Sequence, residues 1–442
     1  MNIQLSDHFN YRKLLRFALP SVIMMIFTSI YGVVDGIFVS NFVGKTPFAA
    51  VNFIMPVLMI LGGLGFMFGS GGSALIAKLM GEGEKEKANS VFTLLVIATA
   101  VLSVVLLIPA IIFLPQIAKA LGGEGDMLSD AVLYGRIILA SLPFFMIQFE
   151  FQSFFVTAEK PTFGLWATVA TGVCNMIFDF LFMAVFKWGI IGAALATALS
   201  QTVGGIIPLI YFSRKNSSLL RFTKTAFDGK ALLKTCTNGS SELMGNISMS
   251  IVSMLYNLQL LKYAGEDGVA AYGVLMYINF IFLAIFIGYS VGTAPIISYH
   301  FGAGNKDELK SLRKKSTVII LISSVVMLVL SEVLAYPLSY IFVSYDASLM
   351  EMTLRGFLIY SFSFLFAGFA IFGSGFFTAL NDGLTSAVIS FLRTLLFQVA
   401  AVLIMPILFD LDGIWASIVV AEVMAVIITV IFMIAKRKKY GY

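Results

Sequence analysis

Residues 91–114 read VFTLLVIATAVLSVVLLIPAIIFL, a run of 24 residues with no charged side chain. About 20 apolar residues, each adding roughly 1.5 Å of rise, carry a helix across the ~30 Å hydrocarbon core of a bilayer. A strand of a membrane barrel would instead alternate polar and apolar positions over roughly ten residues, and this run does not alternate. Working outward by the same length criterion gives twelve such segments, at roughly 14–40, 48–78, 91–114, 132–156, 162–186, 190–212, 233–261, 269–299, 316–342, 353–379, 384–408 and 412–435. The expected fold class is an all-α integral membrane protein of about twelve transmembrane helices.

Composition points the same way. Of 442 residues, 59% are hydrophobic and 12% charged, against about 25% charged in a typical soluble domain. A single aqueous core stops growing near ~250–300 residues, so this much apolar sequence requires lipid as solvent. The net charge of +5 is spread over short loops rather than gathered in a tail, which argues against a nucleic-acid partner. Cys174 and Cys236 suggest neither a disulfide framework nor a metal cluster, and the two histidines, His8 and His300, fall near span edges. The first apolar run ends in Gly-Val-Val-Asp-Gly (32–36) rather than a small-residue cleavage site, so it reads as a retained first helix.

Orientation follows from Lys and Arg, which favour cytoplasmic loops. With the N-terminus inside, 22 of the 29 basic residues fall on the inner face, including Arg12, Lys13, Arg16, Lys85, Lys306 and the 436–439 cluster. Six fall outside, namely Lys45, Lys119, Arg136, Lys187, Lys262 and Arg355, while Arg393 lies within a span. The expected location is the cell inner (plasma) membrane, multi-pass, with both termini cytoplasmic.

Sliding the chain by 221 residues brings identities into register without a gap. Gly81, Gly83 and Lys85 meet Gly302, Gly304 and Lys306; Phe151, Ser153 and Phe155 meet Phe372, Ser374 and Phe376; Gly192 meets Gly413. Six helices per half is an even number, so the halves are parallel repeats about an axis along the membrane normal. The expected division is an N-lobe at 1–212, a basic cytoplasmic linker at 213–230 and a C-lobe at 231–442, with a substrate cleft between the lobes.

Acids inside spans are the informative residues, because an Asp at a helix centre costs about 2.5–3.5 kcal/mol on insertion scales. Asp35, Glu150, Asp179, Glu242, Glu332 and Glu422 qualify. Asn175 and Asp179, spaced i, i+4, share one helix face. Oxygen ligands of this kind suit a small hard cation or, desolvated, a proton. Glu150, Glu332 and Glu422 read more readily as structural groups that hydrogen-bond between helices and hold the lobe together, since each falls near an interface. The loops Gly81-Glu-Gly83 and Gly302-Ala-Gly304 follow no strand, so they read as helix caps rather than phosphate cradles. The spans contain no His-Glu-x-x-His or Gly-x-Ser-x-Gly motif, and an enzyme is not expected.

Pro20 with Val33-Val34-Asp35-Gly36, the paired Gly-x-Gly loops and Gly189-Ile-Ile-Gly-Ala-Ala-Leu-Ala-Thr197 resemble the multidrug and toxic compound extrusion (MATE) transporters over essentially the whole chain, and the DinF-like branch more than the NorM-like one. The resemblance implies a V of two six-helix lobes. It implies export of amphipathic, often cationic organic compounds in exchange for sodium or protons by alternating access. It carries a cation site onto Asp35, Asn175, Asp179 and Thr197, and a substrate chamber onto Tyr31, Gln148, Gln152 and Glu242. No cofactor is implied beyond the coupling ion, sodium or proton. Small organic substrates and membrane lipid are the expected partners of a monomer. Two features depart from the family: span 353–379 holds none of the acid that the NorM-like branch adds there, and Ser241 replaces the proline the family usually has early in the seventh span. No C-lobe cation site is therefore expected. The alternative is a flippase of related fold for lipid-linked oligosaccharide or peptidoglycan precursors, which would place several Arg or Lys in its cavity; Arg393 alone lies well inside a span.

Overall fold

The computed structural model describes residues 3–344 and 346–442, with the backbone alone for Lys45. Residues 1 and 2 of the expected N-lobe, and the Lys45 side chain counted on the outer face, lie outside the described residues. The chain is helical almost throughout: α1 (Tyr11–Phe38), α2 (Lys45–Gly81), α3 (Lys85–Ala120), α4 (Gly125–Ala140), α5 (Leu142–Thr157), α6 (Pro161–Asp179), α7 (Gly189–Ser213), α8 (Gly229–Gly302), α9 (Lys306–Val343), α10 (Ala347–Ser361), α11 (Phe364–Ala379), α12 (Gly383–Phe391) and α13 (Phe397–Tyr440). Three short π-helical stretches, Val39–Val43, Phe180–Val185 and Leu392–Leu396, extend α1, extend α6 and join α12 to α13.

These elements make twelve crossings of a bilayer. The 74-residue α8 reverses at Gly265 (φ 63°), and α13 reverses at Phe409–Asp410, where Asp410 adopts φ 49°. Gly265 takes positive φ without cost, and Asp410 is of the residue types that tolerate this region best after glycine. Conversely, α4 with α5 and α10 with α11 are single spans bent by 63° and 48°. Apolar side chains cover the outside, for example Ile108, Trp166, Ile322 and Ile407, each more than half exposed. Lipid is the solvent those side chains require. The spans form two lobes, joined by the helix-free stretch between Ser213 and Gly229.

An even number of crossings puts both termini on one face. On that face the Gly-x-Gly turns cap α2 and α8 identically. Gly83 (φ 84°) and Gly304 (φ 68°) donate to Met80 and Phe301, and Glu84 and Asn305 donate to Leu79 and His300, at 3.0–3.1 Å. This is the Schellman pattern of helix ends. The turns after α5 and α11 also match, with positive φ at Glu159 and Asn381, but those positions are 222 apart. The 221-residue register therefore carries a one-residue insertion here, and the gapless alignment does not hold at this turn.

The lobes touch along a glycine seam near the same face. A Cβ on Gly71 would stand 2.0 Å from the Thr235 carbonyl oxygen, and one on Gly239 2.0 Å from that of Met67. Gly81 and Gly302 meet Tyr299 and Lys78 in the same way, at 2.0 and 2.1 Å. Asn381, held by Asn238 at 2.7 Å, donates across the seam to the Ala74 carbonyl at 3.1 Å. On α1, Ser21 and Val22 pack against Gly288.

A strap formed by the residues before α1 crosses the seam. The Leu5 N–H donates to Glu159 at 2.6 Å, and the Phe9 N–H to Glu308 at 2.9 Å. His8 Nδ1 lies 2.6 Å from Glu308, and Lys315 donates to the Phe9 carbonyl. Leu5 and Phe9 are completely buried. Away from the seam the packing at glycines is looser: a Cβ at Gly32, Gly245 or Gly273 would meet nothing within 4 Å.

Candidate functional site

Asp35 sits near the end of α1 and Asp179 at the end of α6, each one turn or less from a π-helical stretch. Such stretches widen a helix and re-aim its side chains, and they occur often at functional sites. The two carboxyls adjoin, with Tyr134 from α4 and Thr197 from α7 beside them. Asp179 and Tyr134 are fully buried. Asp35 Oδ1, both Asp179 oxygens, the Thr197 hydroxyl and the Tyr134 hydroxyl all lack a protein hydrogen-bond partner. A buried oxygen left unpaired costs about 1–3 kcal/mol; Asp35 adjoins Asp179 and Tyr134 adjoins Thr197, so a proton on a carboxyl, or a cation between them, would satisfy the group. Oxygen donors without N–H groups fit a hard cation such as sodium, or protons on the carboxyls.

Asn175 is buried one turn before Asp179 on the same helix, and its side chain forms no protein hydrogen bond among the described residues. The Tyr31 hydroxyl lies beside Gln148 and close to Asp35. Tyr134 was not singled out in the sequence, where nothing separates it from fifteen other tyrosines.

Between the lobes lies a cavity of about 450 Å³. Met25, Thr28, Met59, Phe66 and Gln152 line it from the N-lobe, and Glu242, Asn246, Tyr256, Met276 and Arg393 line it from the C-lobe. Gln152 and Glu242 thus face the cavity, whereas Tyr31 and Gln148 stand behind its wall among the N-lobe helices. Met and aromatic side chains re-pack around varied ligands, and ten of the 36 lining residues are of these types.

The remaining acids divide sharply. Glu150 is fully buried in the N-lobe beside Thr99, with neither oxygen paired. Glu332 accepts from Ser361. Glu422, expected to hydrogen-bond between helices, does so; it is 2% exposed and stands in the cavity wall of the C-lobe. It accepts three hydrogen bonds from Arg393 at 2.8–3.0 Å, the bidentate geometry in which Arg–carboxylate pairs are strongest. The signal was available: Arg393 is a lone cation in a span, and a lone intramembrane charge requires a partner of opposite sign. The pairing itself depends on how α13 folds back at Asp410.

Comparison with known proteins places these features in context. The Multidrug export protein MepA of Staphylococcus saprophyticus subsp. saprophyticus is 26% identical over 97% of this chain and 94% of its own length. The protein of that name from Staphylococcus haemolyticus is 25% identical over the same shares. A multidrug resistance MATE family transporter of the MOP superfamily, solved in an outward-facing conformation, superposes with a TM-score of 0.93 at 23% identity, over 99% of this chain and 98% of that one. A MATE crystal structure in complex with MaL6 gives 0.91 at 22%, over 98% and 97%. The family description MatE matches twice, at residues 20–181 and 243–404, once in each lobe. The chain belongs to the MatE family of membrane transporters.

Proposed function

We propose that the chain is a secondary active multidrug exporter of the cell inner membrane, with both termini cytoplasmic. It would extrude amphipathic, often cationic compounds in exchange for sodium or protons. One observation carries this reading: two adjoining carboxyls without partners, Asp35 and Asp179, lie in one lobe of a MatE chain whose two lobes share a cavity. The lobes would be residues 1–212 and 231–442, joined by a linker at 213–230, in a protein acting as a monomer. The MepA relatives, named for multidrug export, support the substrate class.

The residues present would hold the coupling ion through Asp35, Asp179, Thr197 and Tyr134, with Asn175 one turn away. Two desolvated carboxyls this close resist ionising together, so the same pair takes up either protons or a cation. Sodium and protons then compete, and apparent sodium affinity falls as pH drops. Sodium titrations of purified protein at stepped pH measure this; Asp179→Asn is expected to abolish the pH dependence, and a pH-independent affinity in the wild type would count against a shared site. Function itself is tested by efflux from proteoliposomes with sodium and pH gradients imposed separately. One of the two gradients is expected to drive export, and export driven by neither would remove the antiporter reading.

Orientation has its own test. Cysteines at Lys85 and Lys306, in the equivalent turns after α2 and α8, are both expected to react with an impermeant thiol reagent from the cytoplasmic side only. The flippase alternative is disfavoured by charge. Among the described residues Arg393 is the one cation lining the cavity, and Glu422 already occupies it. No guanidinium or ammonium is left to meet a pyrophosphate.

A further inference from the structure

On the face of the Gly-x-Gly turns, four lysines from the two lobes gather around one acid and two rings. Lys78 lies in the last turn of α2, Lys234 in the second turn of α8, and Lys436 and Lys439 at the end of α13. Lys234 donates to the Asn381 carbonyl at 2.6 Å, with Lys78 and Lys439 near enough to repel it. Lys436 lies 3.4 Å from the same Asp382 oxygen that accepts from the Tyr440 hydroxyl at 2.7 Å. The Tyr440 ring carries the Lys439 ammonium at 4.9 Å and stands 5.7 Å from the Phe301 ring, over which Lys78 lies at 5.8 Å. Two acids answer these lysines, Asp382 and, 3.4 Å from Lys78, Glu82. The cluster keeps an excess of two positive charges.

Like charges held this close repel. An ammonium also has three donors, of which Lys234 gives one to the protein among the described residues. Beside the cluster the surface turns apolar. Leu233, Leu384 and Ile434, each within two residues of Lys234, Asp382 or Lys436, are 67%, 77% and 70% exposed. Side chains this apolar and this exposed belong against lipid, so the lysines stand where the spans leave the hydrocarbon and meet headgroups. A surface cationic at its end and apolar along its side matches a phospholipid with an anionic head.

We propose that this cluster binds the phosphate of an anionic phospholipid from the adjoining leaflet, with the acyl chains lying on Leu233, Leu384 and Ile434. Lysine meets phosphate as a point charge, and basic pockets between spans take anionic headgroups in this way. The headgroup also bridges the lobes. Lys78 belongs to the N-lobe, and its carbonyl stands on the glycine seam, 2.1 Å from a Cβ on Gly302. The other three lysines belong to the C-lobe. A phosphate that reaches both sides is held best while the seam is closed, so the lipid acts as a staple on the seam and takes no part in the cavity between the lobes.

Native mass spectrometry of the purified full-length protein in detergent, titrated with phosphatidylglycerol, measures the affinity for the first lipid bound. Phosphatidylcholine and inorganic phosphate are the comparison arms. Phosphatidylglycerol is expected to bind at least about fivefold tighter than phosphatidylcholine, the effect of one lysine near an anionic headgroup. Lys234→Gln/Lys436→Gln is expected to weaken phosphatidylglycerol roughly twentyfold, and Lys78→Gln about fivefold, with phosphatidylcholine unchanged in both. Arg12→Gln/Arg16→Gln removes as much charge from the same face at the start of α1 and is expected to stay within about twofold of wild type. An equal loss in that arginine pair would show diffuse surface charge and overturn the site. Wild-type affinity in Lys78→Gln would overturn the bridge between lobes. Displacement of the lipid by millimolar inorganic phosphate would make the cluster a seat for a free anion and overturn the lipid assignment.

Discussion

Asp35→Asn is expected to abolish gradient-driven transport while leaving membrane insertion and helix content unchanged. Asn keeps the size of Asp and most of its hydrogen-bonding capacity but cannot carry a titratable charge. The substitution therefore leaves a single carboxyl, Asp179, with the Thr197 and Tyr134 hydroxyls. One carboxylate holds a cation more weakly than two, and it no longer has a like charge against which its ionisation is balanced. Fluorescent-substrate efflux from proteoliposomes, with circular dichroism as the folding control, measures the outcome. Undiminished coupled efflux would take Asp35 out of the mechanism.

Gly71→Leu is expected to be comparably severe by a different route. Its Cβ would stand 2.0 Å from the Thr235 carbonyl oxygen and 2.6 Å from the Gly239 nitrogen, and both are backbone atoms that cannot rotate aside. An overpacking cost of about 1–3 kcal/mol already depopulates the closed seam by roughly five- to 150-fold. Each lobe retains its own core, so folding is expected to survive. Cysteines replacing Lys78 and Phe301, whose side chains meet across the seam with the ammonium 5.8 Å from the ring, report closure through cross-linking yield. That yield and efflux are expected to fall together in Gly71→Leu. Gly32→Leu, where the added group meets nothing within 4 Å, is the matched control and is expected to do neither. Equal cross-linking in both variants would show that the seam need not close.

The spans were legible because lipid imposes one rule on all of them: enough apolar residues to cross, with backbone groups paired internally. Residues 190–212 are helix Gly189–Ser213 in the structure, and the gap between 261 and 269 contains the corner at Gly265. The bends inside single spans, near Ser141 and Phe362, were not legible, since a bent apolar helix and a straight one have the same composition. Within the site, Asp35 and Asp179 stood out because each is costly in lipid. Tyr134 did not, because a tyrosine in a span costs little, and only the packing of α4 against α7 brings it to Thr197. Glu422 was legible as a group that hydrogen-bonds between helices, but not its partner: Arg393 comes from a different helix, and sequence spacing alone does not pair residues 29 apart.

The strap ahead of α1 has a consequence for how the lobes part. It is anchored to one lobe through Glu159 and to the other through Glu308 and Lys315, so neither lobe can move away from the other on this face without shedding it. Leu5 and Phe9 must also leave fully buried positions in the same event. The opposite face has no comparable clasp among the described residues. Parting the lobes on this face therefore means breaking these hydrogen bonds and exposing Leu5 and Phe9 in one event, a task the opposite face does not impose.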